Sequence, residues 1–233
     1  IISKANFNNL DESETNAVRI ENSKKNGLQL KLVDSVHCAF YTHNKNIAKK
    51  EFSVLTDFNM LKLILPFIDE TVKMTIGESS ISISGDKILT ILPVYQDSED
   101  AVGSAEEAFS PDNFKEGYLK FDLADINSIY ESIGVGREGS DVLNMSTSSK
   151  NKKINFSLQT SFGKSSGSFK CKTNKLGGEK VELPMLMFDD TLKSCKLGND
   201  SVYFTLGGEN SYYLMSTSYE DISVKCIGPV VSS

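Results

Sequence analysis

Tryptophan is absent from the 233-residue chain, histidine occurs twice and cysteine four times. Cys38, Cys171, Cys195 and Cys226 are far apart, and no C-x-x-C pair exists among them. That spacing argues against a zinc ribbon and a redox pair, and fits buried thiols in a reducing compartment. His37 and His43 lack a third nearby ligand, so no metal site is expected. The chain has no G-x-S-x-G, P-loop or H-E-x-x-H motif. "GVGREG" (Gly134 to Gly139) has part of the spacing of a dinucleotide loop, but it follows a helix-like segment instead of opening one. No catalytic residue and no cofactor are therefore expected. No run approaches the roughly 18 apolar residues of a membrane span, and no signal-peptide pattern is present. A cytoplasmic protein without a membrane partner is the expectation. The first residue is Ile and not Met, so the chain is expected to begin inside a longer natural sequence.

Positive charge is also in deficit. With 25 basic and 31 acidic residues the net charge is −6. That excludes a protein gripping nucleic acid with its whole surface but leaves room for one basic face. What remains is a chain of 39% hydrophobic and 24% charged residues, which is enough for a packed core.

The informative feature is a repeated order of elements. "EFSVL" is strand-like, "TDFNMLKLILPFIDE" (Thr56 to Glu70) is helix-like, and "TVKMTI" and "ISISGDKILTILPV" alternate as strands with a turn at Gly85-Asp86. The order returns as "LKFDL", "ADINSIYESIGVG", "DVLNMSTSS" and "KINFSLQTS". It returns again as "KVELP", "MLMFDDTLKSCKLG", "SVYFTL" and "SYYLMSTS", with turns at Gly177-Gly178 and Gly207-Gly208. The spacing from Thr56 to Leu123 nearly equals that from Leu123 to Met185. A clipped first copy has "IISKANFNNL" as a helix tail, then "AVRIE", "LQLKLV" and "VHCAFYTH".

Each helix carries one apolar stripe. The stripes are Phe58, Leu61, Leu65 and Ile68; Leu123, Ile126, Tyr130 and Ile133; and Met185, Phe188, Leu192 and Cys195. Thr56 or Asp57 and then Asp122 are the expected caps, Pro184 opens the last helix, and Gly134 and Gly198 are expected stops. The acidic stretch Tyr95 to Gly117 lacks periodicity and reads as a connector. The organisation is thus α+β: two similar domains, 1–94 and 118–233, joined by 95–117, each with two helices on antiparallel β-sheets.

This organisation resembles that of DNA sliding clamps, the T-even-type bacteriophage processivity clamps above all, with an architecture similar to the eukaryotic clamp. The stretches that carry the resemblance are "FSVLTDFNMLKLILPFIDETVKMTIGESSISISGDKILTILPV", "LKFDLADINSIYESIGVG" and "VELPMLMFDDTLKSCKLGNDSVYFTLGGENSYYLMSTS". The resemblance implies a homotrimeric ring of six clamp-type domains with helices lining a hole. It implies non-specific binding of double-stranded DNA, self-association, an ATP-dependent clamp loader and a DNA polymerase C-terminal peptide as partners. Phage-encoded, the protein would work in the host cytoplasm.

On that resemblance, Lys4, Asn59, Lys62, Arg137, Lys193 and Lys196 face DNA. A solvated helix side carries such residues too. The peptide pocket takes Val102, Phe109 and Phe114 from the connector and Ile222, Val224, Ile227, Pro229 and Val230 from the last strand. Phe109 and Phe114 equally suit a role in pinning the connector to its own domain. Subunits join by strand addition between Lys87–Val94 and Gly167–Thr173, through Ile88, Ile91, Phe169 and Cys171. The alternative is a duplicated β-rich structural protein, or a monomeric processivity-type binding protein.

Overall fold

The computed structural model describes residues 17–33, 38–43, 50–64, 67, 73–85, 88–95, 107, 109–125, 142–148, 150, 152–160, 163–195, 201–207 and 209–231. The chain divides into two compact units. One comprises Ile1–Glu107 with Asp221–Ser223, the other Ala108–Glu220 with Val224–Ser233.

In the first unit, β1 (Ala17–Ser23), β2 (Gly27–Val33), β3 (Cys38–His43) and β4 (Phe52–Asp57) form an antiparallel sheet in the order β3-β2-β1-β4. A second sheet has β5 (Lys73–Ile76), β6 (Ser80–Ser84) and β7 (Leu89–Pro93) in sequence order. "SISIS" shows why alternation is informative. Ile81 and Ile83 are buried while the serines between them face outward. Helix α1 (Phe58–Ile64) starts where Asp57 Oδ1 accepts the Met60 N–H at 2.8 Å, so Asp57 is the cap. Thr56 instead donates to the Pro93 carbonyl at 2.7 Å, which ties β4 to β7. Phe58 and Leu61 are buried, as the stripe requires; Leu65 and Ile68 lie outside the described residues.

In the second unit, β8 (Leu119–Asp122), β12 (Thr173–Asn174), β14 (Ser201–Leu206), β15 (Tyr212–Tyr219) and β16 (Ile222–Pro229, from Val224 on) run in the order β12-β8-β14-β15-β16. The other sheet has β9 (Val142–Ser148), β10 (Lys153–Thr160), β11 (Gly163–Lys170) and β13 (Lys180–Pro184) in the order β11-β10-β9-β13. Residues 123–125 are helical and begin the third-copy helix. Helix α2 (Met185–Ser194) follows Pro184, its cap residue, and buries Met185, Phe188 and Leu192, with buried Cys195 just beyond its end. The first-copy helix tail, most of the third-copy helix, "GVGREG" and Gly198 lie outside the described residues.

The strand expected at Gly167–Thr173 runs instead from Gly163 to Lys170. "GKSSGSFK" has few β-formers, yet it pairs along its whole length with β10. Cys171 lies past its end and bonds to the Lys152 carbonyl through both its N–H (2.8 Å) and its thiol (3.1 Å). Cys171, Cys195 and Cys226 are buried free thiols.

An aromatic chain knits this core. Phe169 stacks on Phe156 (5.9 Å), Phe156 leans on Phe188 (6.2 Å), Phe188 meets Tyr213 edge-on (5.9 Å), and Tyr213 stacks on Phe204 (5.5 Å). The Tyr213 hydroxyl is paired with Thr191 Oγ1 at 3.0 Å, and burial pushes its pKa above the ordinary tyrosine value. Gly228 makes room for that hydroxyl, since a Cβ there would meet Tyr213 Oη at 2.4 Å. The ring is fully buried and cannot swing away. Gly228→Ala is therefore expected to destabilise the protein by about 1–3 kcal/mol in chemical denaturation. An unchanged midpoint would mean that the ring is free to move.

Candidate functional site

Asn59 is exposed and Lys62 half-buried on α1, one turn apart; Lys62, four residues after Phe58, lies on the flank of the buried Phe58–Leu61 stripe and not opposite it. Lys193 lies on the solvent side of α2 with its side chain 46% exposed. Its ammonium pairs with Asp189 Oδ2 at 2.7 Å and approaches Asp190 Oδ1 at 3.9 Å. Lys193 is thus not the isolated cation that the sequence suggests, because a carboxylate one turn earlier offsets its charge. Lys4, Arg137 and Lys196 lie outside the described residues.

α1 also carries what the stripe analysis missed. Met60, Leu63 and Phe67 stand exposed, Leu63 at 71% and Phe67 at 67%. Met60 and Leu63, at i and i+3, make a second apolar strip on α1 beside Asn59 and Lys62, and Phe67 is exposed beyond the end of the helix. The signal was in the sequence: between Phe58 and Ile64 only Asn59 and Lys62 are polar. A helix apolar on two sides needs two covers.

β7 packs against α1 and is an edge strand of its sheet. Leu89 and Ile91 point outward, 69% and 62% exposed, in register with Ser84 and Ser82 of β6. Ile91 is therefore an exposed apolar side chain on an open strand edge. Ile88 precedes the strand, and its carbonyl accepts the Gly85 N–H at 2.9 Å in the turn, so it belongs to the hairpin and not to the edge. Pro93 ends β7, where its missing N–H costs least.

β11 is likewise an edge strand. The two side chains assigned to contact there point the other way. Phe169 stacks inward on Phe156 and meets Phe121 edge-on at 5.8 Å, and Cys171 is buried. Cys171 is thus closed to a neighbouring chain, while Phe169 is half-buried on the inward face. The outward residues of β11 are Lys164, Ser166, Ser168 and Lys170.

The peptide-pocket residues are dispersed. Phe114 meets Tyr212 edge-on at 5.4 Å and is bridged to Gly207. Around it the connector is tied down by Lys115 N–H to the Leu206 carbonyl (2.9 Å), Tyr212 Oη to the Asn113 carbonyl (3.0 Å) and a Lys115–Glu179 ion pair (2.9 Å). Phe109 is half-buried. Val224 and Ile227 are buried, although three residues apart on β16 they point to opposite faces of the strand. Ile222, Pro229 and Val230 stay half-exposed, and Val102 lies outside the described residues. A concavity of about 1000 Å³ does open at Val230 and Val231. Its floor is the outer face of β9, β10 and β11, with Asn144, Ser146, Asn155 and Ser157, so it is polar where an apolar pocket was expected.

Among the described residues no group of His, Cys, Asp and Glu is arranged to hold a metal ion, and no helix is long and apolar enough to cross a membrane.

No protein-family model and no curated protein sequence matches this chain. Solved structures do. The DNA polymerase sliding clamp from Bacillus subtilis superposes with a TM-score of 0.82 at 15% identity, over 100% of this chain and 61% of that one. The beta subunit from DNA polymerase of Streptococcus pyogenes gives 0.79 at 13% identity, over 100% and 63%. Proliferating cell nuclear antigen from Entamoeba histolytica gives 0.73 at 11% identity, over 99% of this chain and 93% of that one. The chain therefore spans about three fifths of the bacterial chains and nearly all of the amoebal one. Helices laid on antiparallel sheets, over the whole length, make this the fold of the DNA polymerase sliding clamps.

Proposed function

We propose that the chain is a DNA polymerase processivity clamp of the T-even bacteriophage type, with no chemistry of its own. Two clamp domains, 1–94 and 118–233, are joined by the connector 95–117, and three chains close a ring round duplex DNA. The ring is opened by an ATP-dependent loader and tethers the replicative polymerase through its C-terminal peptide, in the host cytoplasm. The observation that carries this reading is the clamp fold over the whole chain, together with an edge strand and a helix in the first unit that both expose apolar side chains.

Ring closure pairs the edge of β7 with the edge of β11 in a neighbour, which satisfies backbone groups that each strand leaves open. Ile91 and Leu89, with Leu63 of α1, supply the apolar part of the contact. On β11 the contact is made by backbone and by outward residues such as Ser168 and Lys170, in place of Phe169 and Cys171. Ile91→Asp and Leu63→Asp are each expected to give monomers by light scattering with little loss of melting temperature, because both side chains are exposed in the single chain. Assembly unchanged in both variants would place the contact elsewhere.

DNA contact is non-specific and phosphate-directed, as sliding requires. Asn59, Lys62 and Lys193 serve it, with Lys4, Arg137 and Lys196. Replacing Lys62, Lys193 and Lys196 with Ala together is expected to lower processive synthesis at low salt, with the defect shrinking at high salt. The Asp189–Lys193 pair adds a sharper test. Asp189→Asn removes the nearer carboxylate and leaves Lys193 only the Asp190 contact at 3.9 Å, and the salt dependence of DNA binding is expected to steepen by a fraction of a unit, at most about one, of log–log slope. A slope left unchanged by both variants would remove α2 from the DNA-facing surface. The polymerase peptide docks at the end of β16, where Pro229 and Val230 remain accessible.

A further inference from the structure

The outward face of the sheet β12-β8-β14 carries aromatic and basic side chains that the clamp reading does not use. Tyr118 and Tyr203 pack ring on ring, with centroids 5.6 Å apart at 58°. Lys120 lies directly opposite Tyr203 in the β8–β14 register, and its ammonium sits over that ring at 4.9 Å from the centroid. Lys175, just past β12, holds its ammonium over the Tyr118 ring at 5.3 Å. Next to them Lys172 is paired with Asp122 at 2.7 Å and reaches Ser201 Oγ at 3.3 Å. Among the described residues Lys120 and Lys175 form no ion pair of their own. Lys120 is held further by a hydrogen bond to the Tyr203 side chain and by the nearby Asp122 charge, which raise its pKa, so two cations are positioned on one strand face of a chain whose net charge is −6.

The rings set where the ammonium groups stand. A lysine resting on an aromatic face loses less freedom on binding an anion than one waving in solvent. The same arrangement narrows the ligand. Nucleobases bind single-strand sites by stacking on open ring faces, and here a lysine already covers a face of each ring. Duplex DNA needs many phosphate contacts for useful affinity, and two cations are too few. An extended acidic polypeptide suits the geometry. An extended strand presents carboxylates on one side at every second residue, so one acidic segment can offer a carboxylate to each of the two ring-held ammonium groups. The phenol hydroxyls and Ser216, opposite Tyr203, add hydrogen-bond donors at its margin.

We propose that this face, built from Tyr118, Tyr203, Lys120 and Lys175, binds an acidic, extended segment of a partner protein. The proposal needs neither the ring nor DNA.

The test is fluorescence polarisation with a labelled peptide of alternating aspartate and alanine, at low ionic strength, on the full chain. Wild-type protein is expected to bind it, and Lys120→Ala with Lys175→Ala to weaken binding by about tenfold. Lys164→Ala, on the other sheet, is expected to leave binding unchanged, and the double Lys→Arg variant to retain it, with melting curves alike throughout. No binding by wild type, or an equal loss from Lys164→Ala, would overturn the proposal. So would a single-stranded oligonucleotide that displaces the peptide and binds more tightly through the same two lysines, since the occupant would then be nucleic acid.

Discussion

A strand at the margin of a sheet leaves half of its backbone N–H and C=O groups without a protein partner. Natural proteins usually blunt such a margin with charge, a bulge or a cover. β7 does the opposite, because its exposed side chains are Leu89 and Ile91 and the helix packed next to it exposes Met60 and Leu63. Polar backbone and apolar side chain therefore ask for the same remedy, a second strand with an apolar neighbour. β11 at the margin of another sheet offers the strand. The proposed function depends on this constraint, because a clamp that cannot close cannot stay on DNA.

The two described helices answer different demands. α1 is apolar on two sides, so its place is between its own sheets and another body. α2 is apolar on one side, and its single cation, Lys193, is offset by Asp189 with Asp190 close by. A sliding surface has reason to be modestly rather than strongly basic, since tight phosphate contacts hold a protein in place. The Asp189–Lys193 pair is one way to set that level residue by residue. The basic and aromatic face on β8 and β14 is separate from both helices, and its cations are positioned by rings instead of being neutralised by carboxylates.

Much of the fold was legible because its strands bury one face. "SISIS" alternates without interruption and buries both its isoleucines, and "VLNMSTS" buries Leu143, Met145 and Thr147 on one face. α2 was legible because its stripe, its opening proline and its lysines agree. The edge at β7 was legible from order alone. The weaker readings have definite physical causes. β11 is made of Gly, Ser and Lys, and its strand state comes from pairing with β10, which no local signal announces. Reading that strand four residues too late put Phe169 and Cys171 at an interface. A strand turns over at every residue, and in the observed register Phe169 points inward. Val224 and Ile227 were read as accessible because a chain end suggests a surface, whereas β16 runs through the core. The second stripe of α1 was passed over because the first already explained the helix. The pairing of Lys193 with Asp189 stood in plain view at a spacing of four, but a list of cations does not ask what each one touches.

The mass of the wild-type chain in solution tests the central claim most directly. Sedimentation equilibrium at micromolar concentration and moderate salt is expected to return three times 25.7 kDa. A chain that stays at 25.7 kDa across the accessible concentration range would contradict the ring. The exposed apolar surface on β7 and α1 would then belong to a contact with a different protein.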